Sequence, residues 1–423
     1  MRKQTKLVAV LSAAALLAMG ASMTSFAAGW EKDDAGVWHY YDSDDEMVTD
    51  EWKKDGGKWF HLDEDGEMET DTWVDDDYYV AEDGHMLTNE WKKTVSDDDQ
   101  DDPDEDGESW YYFGSKGKKT TSDDKKINGK TYFFDEDGKM QYGWYADSNN
   151  NVYYLGEEDD GARTNSSWLW LAAPDSEDDD EKDAADAVSH DSQDDDDPCD
   201  EEGWYWFGSD GKMYKDAKQK KINGKYYYFN NHGQMLYEWI NGVKANVASN
   251  AKLDSDSIEA TASEVRYMNV VEEGWRADGW YQIDGADALK AGDDTDWYYF
   301  KDGKAKKADD GEKNNTDLTD DGAKVYTKKI KINGKNFCFN EIGQMQTGLQ
   351  MIDKKFYYFD NDGYMKTGWQ QINGVWYYMD QSGVMQNGWF KDNDKWYFLL
   401  PNGAMAVNTT IDGRQIGQDG VWI

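Results

Sequence analysis

The stretch Thr367-Gly368-Trp369-Gln370-Gln371-Ile372-Asn373-Gly374-Val375-Trp376-Tyr377-Tyr378-Met379-Asp380-Gln381-Ser382-Gly383-Val384-Met385 sets the reading of the whole chain. An aromatic run such as Trp376-Tyr377-Tyr378-Met379 favours a strand. One copy earlier, the run closes on Asp360-Asn361-Asp362-Gly363, a tight turn whose glycine can take positive φ at little cost. Tyr364-Met365-Lys366-Thr367 then reads as a second, shorter strand. The Asn-Gly pair of Ile372-Asn373-Gly374 is a further turn before the next aromatic strand. Each unit is therefore expected to be a β-hairpin plus a connection, with Gly368-Trp369 in the connection.

The unit recurs. Gly343, Gly363, Gly383 and Gly403 stand 20 residues apart, and Met345, Met365, Met385 and Met405 follow two positions after each. Trp376 and Trp396 keep the same beat, as do Trp369 and Trp389. Looser copies run upstream from Trp38, giving about 13 in all. A two-stranded hairpin is marginal alone and must bury its apolar face on the next copy. The expected fold is all-β: an elongated β-solenoid of stacked short hairpins with repeats of about 20 residues, interrupted by acidic insertions.

Spacing places the interruptions. The expected organisation is degenerate hairpins over 28–96, an acidic linker over 97–109, hairpins over 110–174 and a second acidic linker over 175–203. Hairpins over 204–244 follow, then an insertion over 245–274 with a possible short helix. Degenerate repeats over 275–336 lead to a regular block over 337–423, closed by a cap around Gly420-Val421-Trp422. None of the interruptions has room for a folded catalytic domain.

Composition narrows the function. There are 88 acidic and 45 basic residues, a net charge of -43, which argues against nucleic acid as a partner, because phosphate backbones are held mainly by Lys and Arg. From Asn340 to the end the balance is 9 acidic to 6 basic, so about -40 lies upstream. The acidic runs read as a solvated surface. Asp102, Asp104, Asp106 and Gly107 match the start of a calcium loop, but its twelfth position is Phe113, not Glu. No metal site, cofactor or catalytic residue is therefore assigned. The five histidines make no metal-ligand spacing, and neither a nucleophile elbow nor a phosphate-binding glycine loop is present. The chain is expected not to be an enzyme. Cys199 and Cys338 form no Cys-x-x-Cys, and Cys338, within Phe337-Cys338-Phe339, reads as a small buried hydrophobe.

Arg2, Lys3 and Lys6 precede an apolar run from Leu7 to Ala21 and a small-x-small site at Ser25-Phe26-Ala27. Residues 1–27 are expected to be a secretory signal peptide. Fifteen apolar helical residues would span only about 22 Å of a roughly 30 Å hydrocarbon core. No later stretch is apolar for long enough to cross a membrane, so the mature chain is expected outside the cell without an integral membrane segment.

The rings carry the expected function. With 21 Trp, 28 Tyr and 14 Phe, the chain has more aromatic surface than a thin two-stranded layer needs for packing. Side chains alternate faces along a strand, so Trp376 and Tyr378 share one face while Tyr377 and Met379 share the other. Two or three rings converging at a seam between hairpins suit a quaternary ammonium group by cation–π attraction, or the flat face of a sugar. Many weak sites along one chain would hold a polymer by avidity.

The Thr367–Met385 motif and its copies resemble the choline-binding and cell-wall-binding repeat family, which includes the related glucan-binding and clostridial-toxin C-terminal repeats. The resemblance implies a cell-wall-associated surface protein of a Gram-positive bacterium. Its implied partners are choline on teichoic or lipoteichoic acids, or a cell-surface glucan. It also implies one site drawing on Trp369, Trp376 and Tyr378, with Met385 and either Trp396 or Tyr397 of the next unit. A second would use Trp389 and Trp396. The strand-opening Trp becomes Thr131, Tyr226, Asn336 or Phe356 in other copies, and the form Ile222-Asn223-Gly224-Lys225-Tyr226-Tyr227-Tyr228-Phe229 looks more like the saccharide-binding branch. Oligomeric state is not legible.

Overall fold

In the computed structural model the described residues are 29–97, 107–122, 124–189, 201–215, 219–242, 261–289, 295–308 and 327–423. The expected signal peptide, Cys199 and the start of the candidate calcium loop lie outside them, as does most of the stretch expected to hold a short helix. The chain divides into two units, Lys3–Tyr214 and Lys215–Ile423.

Each unit is built from small antiparallel sheets. Fifteen occur among the described residues, thirteen of two strands and two of three. Two exceed the expected count. One joins Trp239–Asn241, at the end of the expected 204–244 block, to Val265–Tyr267 in the expected insertion, and the other joins Thr409–Ile411 to Arg414–Ile416 in the expected cap.

The hairpins are phased differently from the sequence reading. Gly368–Ile372 is not a connection but the first strand, paired in full register with Val375–Met379. The joining residues Asn373 and Gly374 have φ of 49° and 82°, the two positive values of a type I′ turn. That turn's twist matches the strands it joins, so the long ladder forms across it. The Asp360–Gly363 turn leads only to a single bridge between Phe359 and Met365. Its carboxylate is occupied locally: Asp360 Oδ1 accepts from the amides of Asp362 and Tyr364 at 3.1 and 2.8 Å.

Methionine joins one unit to the next. Gly383 has φ +85°, and a Cβ built there would lie 2.6 Å from Met365 Sδ. A Cβ at Gly403 would similarly lie 2.5 Å from Met385 Sδ. Each thioether thus fills the space beneath the next unit's turn, which accounts for the spacing of the Gly and Met series. The backbone adds a second tie, since the Met405 amide donates to the Trp376 carbonyl at 2.7 Å. Cores are small and shared between neighbours. Trp73, Tyr79, Tyr111 and Phe113 form one such cluster in the first unit, and Cys338, Ile352, Tyr357 and Phe359 form one in the second. Burial pushes the free Cys338 thiol up to about 12, so it behaves as the small hydrophobe expected.

Acidic insertions sit inside hairpins. Glu90–Thr94 pairs with Ser109–Phe113, and Ser167–Ala172 pairs with Glu202–Phe207. Within the second connection, helix Lys182–Val188 buries Ala184, Ala185 and Val188. Two of these, Ala184 and Val188, pack in a cluster with Trp144 and Tyr205. No helix among the described residues is long and apolar enough to cross a membrane.

Candidate ligand-binding site

Register decides which rings meet. In the hairpin Gly368–Ile372/Val375–Met379, Trp369 stands opposite Tyr378 and Gln371 opposite Trp376, which places these four side chains on one face. The Trp369 ring centroid lies 6.3 Å from Trp376 at 86° and 5.3 Å from Tyr378 at 70°. The next hairpin supplies Tyr397 at 4.8 Å and Phe390 at 5.4 Å from Trp369. Trp369 Nε1–H donates to Asp392 Oδ2 at 3.1 Å, which fixes the indole's rotation and brings a carboxylate to the rings. Trp369 is half-buried, while Trp376 is 40% exposed. Trp369 is thus flanked by Trp376 of its own hairpin and Tyr397 of the next, an aromatic box with Trp376 as its exposed ring. Burial raises the Tyr397 phenol, with the charges of Asp392 and Asp419 adding to it, so the ring stays neutral at ordinary pH.

Of the two rings considered for the far wall, the structure places Tyr397 against Trp369; Trp396 is the exposed ring of the following seam. Met385 is half-buried, with its thioether against Gly403. Trp389 repeats the pattern one unit on. Its Nε1–H donates to Asp412 Oδ2 at 3.0 Å, and its ring lies 6.0 Å from Trp422. Here the chain supplies its own cation: the Arg414 guanidinium lies 5.1 Å from the Trp389 centroid and 5.0 Å from that of Trp422. Internal cations cover rings elsewhere too, as with Lys92 at 4.7 Å from Tyr79 and Lys329 at 4.4 Å from Tyr357.

Two further boxes share the geometry of the first and escaped the sequence reading. Trp91 lies 6.5 Å from Trp110, 5.1 Å from Tyr112 and 4.9 Å from Tyr132 of the next hairpin. Trp280 lies 6.4 Å from Trp297, 5.1 Å from Tyr299 and 4.6 Å from Phe337. In each, the first-strand Trp faces a Tyr, and the residue two later faces the second Trp. The signal was available as paired Trp residues at the two ends of a hairpin. Insertions had spread them 19 and 17 positions apart, against seven for Trp369 and Trp376. Among the described residues no group of His, Cys, Asp and Glu is arranged to hold a metal ion.

Stacked two-stranded hairpins with aromatic boxes at their seams define a repeat-built binding protein. The chain carries choline-binding repeats: one such family matches residues 121–168 and 366–409, and a second matches 46–85 and 67–94. A cell wall binding repeat matches 105–119, 199–213, 220–235 and 347–365. Among solved structures, the chain is similar to the modular autolysin LytC from Streptococcus pneumoniae in complex with a synthetic peptidoglycan ligand. Identity is 20% and the TM-score 0.41, over 80% of this chain and 52% of that one. The chain thus spans about half the length of that autolysin. It is also similar to choline binding protein F from Streptococcus pneumoniae, at 23% identity and TM-score 0.21 over 95% of this chain and 100% of that one. For the choline-binding domain of CbpL from the same organism the values are 25%, 0.31, 50% and 98%. No curated protein matches the chain.

Proposed function

We propose that this is a non-catalytic, exported protein that attaches to the bacterial cell wall by holding choline groups of teichoic or lipoteichoic acid in the seams between hairpins. The observation that carries the reading is the grouping of Trp376 and Tyr397 around Trp369, at 86° and 65° to it, with Trp376 40% exposed. Rings grouped in this way offer their negative quadrupoles to a quaternary ammonium, and each well-placed ring contributes about 0.5–2 kcal/mol towards it. Asp392 adds a formal negative charge at the same rings. A single such site binds weakly; several along one chain hold a polymer through effective concentration. The terminal seam, covered by Arg414, is not counted among the working sites.

Calorimetric titration of the mature chain with choline, and separately with glucan oligomers, tests the reading. Choline is expected to give saturable heat that falls in Trp376→Ala, a substitution at an exposed ring that leaves the core intact. Heat from the glucan alone would replace choline with a saccharide. Absence of heat from both would remove the binding role.

A further inference from the structure

The chain's basic residues are not evenly spread. Within the unit Lys215–Ile423, a groove of about 930 Å³ runs along successive hairpins, and nine of the sixteen described residues that line it are Lys or Arg against one acidic residue, Asp302. In a chain with 88 acidic and 45 basic side chains, that local excess reverses the prevailing sign. Lys304, Lys306 and Lys331 stand exposed along it, with Arg266 and Arg276 at its wall.

Two of its donors are unanswered. Arg266 Nη1 and Arg276 Nε are buried and have no hydrogen-bond partner among the described residues. Arg276 Nη2 pairs with Asp302 at 2.7 Å and more loosely with Asp278 at 3.9 Å, and its guanidinium lies 4.4 Å from the Tyr226 ring, which leaves Nε as its unanswered N–H. A planar guanidinium with a spare N–H is suited to an oxyanion that can take two bonds at once. Lys329 lies over the Tyr357 ring at 4.4 Å, so the charges presented to solvent are those of the exposed Lys304, Lys306 and Lys331, which suit a polyanion lying along the groove.

We infer that this groove binds a linear phosphodiester polymer without aromatic bases, the backbone chemistry of a polyol-phosphate wall polymer. Nucleic acid is disfavoured by the lining itself. The one aromatic among the described lining residues, Tyr228, is only 3% exposed, so those residues offer no platform for stacking bases. The inference stands independently of the ring boxes, because it concerns the polymer's phosphates and not any cation carried on it.

The test is fluorescence anisotropy of a labelled glycerol-phosphate oligomer, free of choline, titrated with the mature chain. Binding is expected at low salt and should weaken about tenfold or more between 50 and 200 mM salt, as counterion release from three or more phosphates requires. The triple variant Lys304→Gln/Lys306→Gln/Lys331→Gln changes only exposed side chains. It should lose at least about tenfold in affinity and flatten the salt slope while its circular dichroism is unchanged. Trp376→Ala should bind the oligomer as the parent does, which separates this groove from the choline reading. The inference is overturned if the parent chain fails to bind, if the triple variant binds equally well, or if an oligonucleotide with as many phosphates binds more tightly.

Discussion

Asp135 and Asp380 occupy the same place in their turns and are perturbed in opposite directions. Burial raises the Asp135 carboxyl above its ordinary value; the Lys139 amide pulls it down and the Asp137 charge pushes it up further. Burial also works to raise Asp380, but the Ser382 hydroxyl and the amides of Val384 and Ser382 outweigh it and hold the carboxyl low. A raised carboxyl costs stability above its folded value, and the cost disappears below the unfolded value near 3.8. A depressed one contributes stability above 3.8 that is lost as pH falls through the folded value. Asparagine already closes the equivalent turn elsewhere, with Asn230 Oδ1 and Asn340 Oδ1 accepting from the amides of Gln234 and Gln344 at 2.8 and 2.9 Å. Asp135→Asn should therefore raise the melting temperature at pH 7, and Asp380→Asn should lower it. Both differences should shrink as the medium is acidified below about pH 4. Melts of both variants across pH check the signs, and a loss of stability in Asp135→Asn at neutral pH would refute the first.

At the level of the element, the hairpin and the joint are separable. Gly368 and Gly383 both have positive φ, 76° and 85°, but a Cβ at Gly368 meets nothing within 4 Å, while one at Gly383 meets Met365 Sδ at 2.6 Å. Gly368→Ala should cost only the left-handed backbone penalty, about 1–2 kcal/mol. Gly383→Ala should cost that and about 1–3 kcal/mol more for overpacking against the thioether. Urea unfolding of the two variants measures the difference. Equal costs would show that the methionine does not hold neighbouring units together. Ring boxes depend on the same joint, since Tyr397 reaches Trp369 only when the hairpin Gly388–Asp392/Lys395–Leu399 stacks on its predecessor.

For the molecule as a whole, a net charge of -43 adds self-repulsion that works against the compact state. Ion pairs such as Lys92–Asp71 and Lys130–Asp160 are surface pairs and individually contribute little. Raising ionic strength shortens the Debye length from about 30 Å at 0.01 M to about 8 Å at 0.15 M and should raise the melting temperature of the protein. A melting temperature that falls with added salt would mean that the ion pairs outweigh the repulsion. The polymer-binding groove should respond in the opposite sense, because salt competes with phosphate for the same lysines.

The sequence by itself determined the 20-residue beat, the all-β stack of short hairpins and the shared face of Trp376 and Tyr378, because these follow from local strand preference, turn chemistry and side-chain alternation; that Trp369 joins that face follows only from the pairing of Gly368–Ile372 with Val375–Met379. Turn competition within the repeat was not legible. Two glycine turns alternate, and only the ladder shows that Asn373-Gly374 closes the hairpin while Asp360–Gly363 carries a single bridge. Tertiary structure alone decided that Tyr397 completes the box, that Arg414 covers the next, and that Trp91 meets Trp110 across an insertion. Each of these contacts joins residues through strand pairing or stacking between units, and neither is fixed by distance along the chain.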